Sequence, residues 1–484
     1  MRRLLAIISA ILLAFLITGG ILAWQGMDLS KDGIVGLFSP KTETAPKLPQ
    51  IPDSSQPVEE TNLSYEELLK KGDYYFEQGF LTFASNEYVR AANLEPKRID
   101  PYLKLLKTHF ELRNYNKALS NAQLVLQIDP NHLETKFDLV LIYIKLSDFD
   151  TAKNLLDSYP AMTPHDPRVL YYQGLLSALF GNHEAASKYL KEADVASTDP
   201  VLSGKISTVL DAYQEFNFTQ AAEPLYLSEL LARSFNKVTE YEMAIHLLKE
   251  VLKERGDLRD GWILLGFAYL NLEKYQFALT AFEKAYSLDS EWPTTQYFLG
   301  IAHKELGHFE DSIVFFNLAL SNDFEPKLVI YRHLAELYFE TKDYKNSADA
   351  YEKVLEISKD DVNSFVRPVW LYLDFINDPQ KALKLAETAA LTFPDSAMSY
   401  NLLGWSYAGL KDDEKAEKNL KKAIELDPNL AAAYYNLGNL YNNQNRQQMA
   451  LDAYQKAYSL DSNGSIGNLA AQAHNELLTK TLSN

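Results

Sequence analysis

An all-α solenoid of helix–turn–helix repeats, preceded by one membrane-spanning segment, is the fold class that the sequence predicts. Three observations carry it. Prolines recur at a fixed interval, with Pro96, Pro130 and Pro164 spaced 34 apart and Pro394 and Pro428 likewise. Each interval holds two stretches whose apolar residues fall at helical spacing. A chain of 484 residues also exceeds what one ordinary core serves, so it needs several domains or units that pack only on their neighbours.

The elements follow in order. Residues 1–24 read as a signal anchor. After Arg2 and Arg3, the run Leu4 to Trp24 carries no charge, and a helix of that length spans about 31 Å. Trp24 stands where an interfacial aromatic belongs. The cations lie before the span, so the N-terminus is expected in the cytoplasm and the body outside it. The alternative is cleavage near Gly20, with Thr18 and Gly20 as the small residues of the site, giving a secreted or periplasmic protein. Residues 25–61, with Pro40, Pro46, Pro49, Pro52 and Pro57 among Ser, Thr and charges, read as a flexible linker with a reach of roughly 35 Å.

Residues 62–200 and 225–462 read as two repeat arrays of about four and seven units. The units start near 65, 99, 133, 167, 225, 259, 293, 328, 363, 397 and 431. The stretch WILLGFAYLNLEKYQFALTAFEKAYSLD shows one clearly, with Trp262, Leu265, Gly266 and Tyr269 on its first helix and Ala278, Phe282 and Ala285 on its second. Gly72, Tyr75, Ala84, Tyr88, Ala91 and Pro96 take the same places at the beginning. Leu437, Gly438, Tyr441, Ala450, Tyr454 and Ala457 take them near the end. On these residues the chain resembles the tetratricopeptide-repeat family. Three units depart from its pattern: the second has Leu106 at a small-residue place, the seventh Ser312, the ninth Trp370. Residues 201–224 keep a helical pattern (Ile206, Val209, Leu210, Tyr213) without the repeat signature, and lead to a loop-like FNFTQ around Asn217. Residues 463–484 read as a capping helix over the last exposed face.

The resemblance implies a right-handed superhelix whose concave wall is built from first helices and receives extended peptides or helices. On this frame the wall presents Phe76, Phe110, Phe137, Tyr171, Phe267, Tyr297, Phe339, Trp405 and Tyr435, each of which could instead pack on the next unit. Aromatic anchors bury much area at small entropic cost. Asn436, Asn439, Asn442, Asn443 and Asn445 crowd the last unit, where amides can pair with a peptide backbone. The partner-binding set is Phe267, Tyr297, Phe339, Trp405, Tyr435, Asn439 and Asn442. The cations that grip a partner's terminal carboxylate in some relatives are not matched, since only Lys107 suits that role.

Composition removes other chemistries. With 47 Lys+Arg against 65 Asp+Glu the net charge is −18 and no basic cluster appears, which argues against nucleic acid and favours basic protein segments. There is no cysteine, hence no disulfide, thiolate metal site or cysteine nucleophile. Phosphate-loop, dinucleotide and nucleophile-elbow motifs are missing. His303 and His308, five apart across a helix and its turn, read as surface or packing histidines, and Asp148 and Asp150 as turn residues. The expectation is a non-enzymatic scaffold of the bacterial envelope, with no catalytic residues, cofactor or metal. It would bind proteins or peptides, with self-association left open. The rival readings are an assembly or export factor for a secretion or polysaccharide machine, and a regulatory subunit holding an enzyme at the membrane.

Overall fold

The computed structural model describes residues 63–158, 166–218 and 224–482. The anchor Leu4–Trp24 and the linker 25–61 lie outside the described residues. Among the described residues there are twenty-four α-helices and no strand, and no helix is long and apolar enough to cross a membrane.

The first helix, Tyr65–Glu77, begins with a reciprocal cap. Ser64 accepts from the Glu67 amide, and the Glu67 carboxylate accepts from the Ser64 amide at 2.8 Å. Its partner is Leu81–Leu94, and the pairing repeats down the chain. Between the two helices of each pair the backbone enters the left-handed region once, at residues 79, 113, 147, 181, 239, 273, 307, 342, 377, 411 and 445. Eleven helix pairs are thereby marked, at intervals of 34 or 35. The one long gap, from 181 to 239, holds the additional helix Pro200–Phe218. That helix buries Ile206, Val209, Ala212 and Tyr213. It also runs through Asn217, which the sequence suggested was in a loop. No Gly or Pro follows Gly204 within it, and one Asn costs a helix less than about 1 kcal/mol.

Within a pair, positions 16 apart meet. A methyl group on Gly266 would lie 2.4 Å from the Phe282 ring, so this first helix can approach its partner only because position 266 lacks a side chain. Each departure from the repeat pattern has its own local compensation. In the second unit the sizes are exchanged: Leu106 is buried against a cluster that includes Ala122. In the seventh, Ser312 is fully buried and its hydroxyl donates to the Gly300 carbonyl at 2.7 Å, so the polar group is satisfied. In the ninth, Trp370 does not occupy the small-residue slot. The first helix passes from a 3-10 turn (Val362–Phe365) through α (Val366–Trp370) to π (Leu371–Ile376). Leu371 and Tyr372 point inward, while Trp370 is half-buried and packs on Phe375 with ring centroids 4.7 Å apart. Pro368 has no amide to donate there, and a bulky indole at the slot leaves the widened turn as the way to keep apolar groups inside.

The helices form two compact units, residues 63–289 and residues 290–482. In the first, the turns of early pairs touch later ones. Lys145 reaches Glu242 at 3.0 Å and Glu240 at 3.5 Å, Tyr172 donates to Glu240 at 2.9 Å, and Arg113 pairs with Glu273 at 3.2 Å. In the second, Ser465–Leu482 packs Ala470 and Leu477 into a cluster with Leu437, Tyr441 and Tyr454.

Candidate functional site: an asparagine-lined groove

In the second compact unit, three successive first helices form a groove of about 310 Å³. The irregular ninth pair supplies Leu373, Asp374 and Asn377, the tenth pair Trp405, and the eleventh Asn436, Asn439, Leu440, Asn442 and Asn443. Helical spacing explains the last group: residues 436, 439, 440 and 443 share one face of Ala431–Asn443. Asn377 enters because it ends the π turn in the left-handed conformation, which Asn tolerates.

The amides differ in how they are held. Asn436 is buried and donates to the Asn401 side-chain oxygen at 2.9 Å. The Asn439 oxygen accepts from the Tyr454 hydroxyl at 2.8 Å, which fixes the plane of that amide. Asn442 and Asn443 are exposed at the rim. Burial raises the pKa of the Asp374 carboxyl, against a hydrogen bond with Trp370 that lowers it. The groove thus offers an indole and two leucines as an apolar floor, surrounded by amides that both donate and accept, with one carboxylate.

Of the residues singled out in the sequence, Trp405, Asn439 and Asn442 come together here. Tyr435, on the same helix as the asparagines, is half-buried with its ring 6.1 Å from that of Tyr454. Phe339 belongs to a neighbouring aromatic cluster with Trp370 and Phe375, at 5.3 and 5.9 Å. Tyr297 is 4% exposed and stacks on Phe324 at 4.5 Å, so it fills the core and presents no surface. Phe137 and Tyr171 are buried in the same way. Phe267 lies in the first compact unit, half-buried beside Tyr241 at 6.3 Å. Asp374 and Asn377 were missed. Their only trace in the sequence was the irregular ninth unit itself, because the π turn that presents them breaks the spacing on which helical faces are read.

A second cavity, about 390 Å³ in the first compact unit, lies among Lys249, Trp262, Tyr269 and Phe277. Its lining comes mainly from second helices and is largely apolar. Asp148 is an N-cap that accepts from the Thr151 amide at 3.2 Å, a structural role, and Asp150 lies in the first turn of the helix it caps.

Comparison with known proteins agrees with the helix pairs. Tetratricopeptide-repeat family models match residues 109–179, 260–291, 330–361, 404–445 and 431–463. A TPR repeat-containing protein of Methanocaldococcus jannaschii is 22% identical over 65% of this chain and 54% of its own length. The BBSome complex member BBS4 of Bos taurus is 22% identical over 55% of this chain and 53% of its own. The chain therefore spans about half the length of these curated relatives. A solved chain described as APC/C hetero-tetramer Cut9-Hcn1 aligns with 86% of this chain and 97% of its own at 14% identity, with a TM-score of 0.29.

Proposed function

We propose that this tetratricopeptide-repeat chain is a scaffold that holds an extended, basic segment of a partner protein in the groove around Trp405. The observation that carries the reading is the convergence of one half-buried indole, five amides and Asp374 on a single cavity. An extended segment leaves its backbone donors and acceptors unpaired, and asparagine side chains satisfy both kinds. Trp405 and Leu440 supply a place for one apolar side chain. The carboxylate and the net charge of −18 favour Lys or Arg beside it. That BBS4 is named a member of a complex fits the same role.

Leu4–Trp24 tethers the scaffold to a membrane in this reading, with the N-terminus cytoplasmic and the repeats on the other side, in support of assembly at an envelope. The charge-free run and the placement of Arg2 and Arg3 support the tether. Resistance of the full chain to alkaline extraction from membranes is expected, and release into the supernatant would refute the anchor.

The groove is tested with an array of extended peptides that vary in charge and in one apolar position. Basic peptides with a large apolar residue should bind best. Trp405→Ala should weaken them by about thirtyfold, the scale of a central aromatic anchor, and Asn442→Ala by a few-fold. Leu391→Ala, at an 84% exposed site on a second helix, should change nothing. Acidic and basic peptides binding alike, or Trp405→Ala binding as tightly as the parent while melting at the same temperature, would refute the reading.

A further inference from the structure

We propose that the turn joining the two helices of the seventh pair is a divalent transition-metal site formed by His303, His308 and Asp311. The helix Pro293–Glu305 carries His303 in its last turn, and Phe309–Ser321 begins just after His308. Gly307, at φ 77°, reverses the chain between them. Two histidines that the sequence read as surface or packing residues therefore face one another. Their Nδ1 atoms are 3.4 Å apart, the Asp311 carboxylate lies 3.9 Å from His303 Nδ1, and all three ligand atoms fall within 4.8 Å of one another. Two nitrogens bound to one tetrahedral ion at about 2.0–2.1 Å are separated by about 3.3 Å, close to the spacing found here.

His308 stands at the capping position of its pair. It is the residue before the second helix, and six other pairs place Asn or Asp there: Asn114, Asp148, Asn182, Asp343, Asp378 and Asp412. Each of those accepts a hydrogen bond from the backbone amide three residues on. Such a cap stabilises a helix by about 1 kcal/mol. His308 makes no side-chain cap bond, as Phe80, Glu240, Lys274 and Arg446 make none in other pairs, and its imidazole faces His303 instead. The His303 ring is held in place by stacking on Phe315 at 5.3 Å with 9° between the planes.

Two imidazoles and one carboxylate suit Zn2+, Co2+, Ni2+ or Cu2+ and not the hard cations Ca2+ or Mg2+. Three protein ligands leave at least one position for water or for a donor from a bound partner. The ion would pin the end of one helix to the start of the next.

The test uses the full chain purified without a histidine tag, with Co2+ as the spectroscopic probe and Zn2+ as the competitor. One equivalent of Co2+ should give the visible d–d band of a low-coordinate site, and Zn2+ should displace it. His308→Gln and Asp311→Asn should each weaken Co2+ by at least about tenfold. Their melting in EDTA should match the parent, and His474→Gln should bind as the parent does. No d–d band in the parent, or undiminished affinity in both variants, would leave only a hydrogen-bonded histidine pair and overturn the proposal.

Discussion

His333 shows what burial does to a single titratable residue in this chain. Its ring stacks on Phe316 at 5.2 Å with 9° between the planes, and the Lys304 ammonium donates to its Nδ1 at 3.2 Å. Burial first, then the charges of Lys304 and Arg332, hold its pKa down to about 3. In the unfolded chain a histidine titrates near 6.5. Between those values the unfolded state carries a proton that the folded state does not, so stability falls as pH is lowered from about 6.5 toward 3. From pH 7 to pH 5 the loss should be on the order of 2 kcal/mol. Melting temperatures of the parent and His333→Gln at pH 7, 6 and 5 check this. The variant should show a shallower dependence, and parallel curves would place the responsible proton elsewhere.

Helix pairs are held by matched sizes across one contact, and the second pair has the match inverted. Ala122→Leu alone, opposite the buried Leu106, should overpack and cost about 1–3 kcal/mol. Adding Leu106→Ala should recover much of that cost, because the pair then takes the arrangement seen at Ala335 and Tyr351, both buried on the eighth pair. Additive losses in chemical denaturation would mean that the two sites do not share a contact. The helices and turns were legible because proline intervals and apolar spacing are local patterns. Less legible were the compensations, which join residues 16 or 12 apart: Leu106 looked anomalous until Ala122 stood beside it, and Ser312 until its bond to Gly300. The site divided similarly. Trp405, Asn439 and Asn442 could be found from helical phase. Asp374 and Asn377 could not, since a π turn shifts the phase. Tyr297 was misleading because a wall position in the frame is a core position once Phe324 stacks on it.

For the molecule as a whole, ties between distant pairs matter as well as neighbours. In the first compact unit Lys145, 20% exposed, pairs with Glu240 and Glu242, which are 4% and 5% exposed. Burial lowers the lysine's pKa, but the two carboxylates outweigh it and the net shift is upward, which keeps the ammonium charged. Lys145→Met would leave two buried carboxylates facing each other, at a cost of about 3 kcal/mol. Glu240→Gln and Glu242→Gln combined with it should return much of the lost stability. A denaturation midpoint that Lys145→Met leaves in place would mean that this tie is dispensable. The eleven left-handed turn residues carry a different implication, one of descent. Because every pair is hinged at the same point, an exchange of genetic material between any two such hinges joins like to like and adds or removes one whole pair. Groove length is then inherited as a number of copies, and a lineage could lengthen its reach toward a longer partner by duplication, with no new fold to invent.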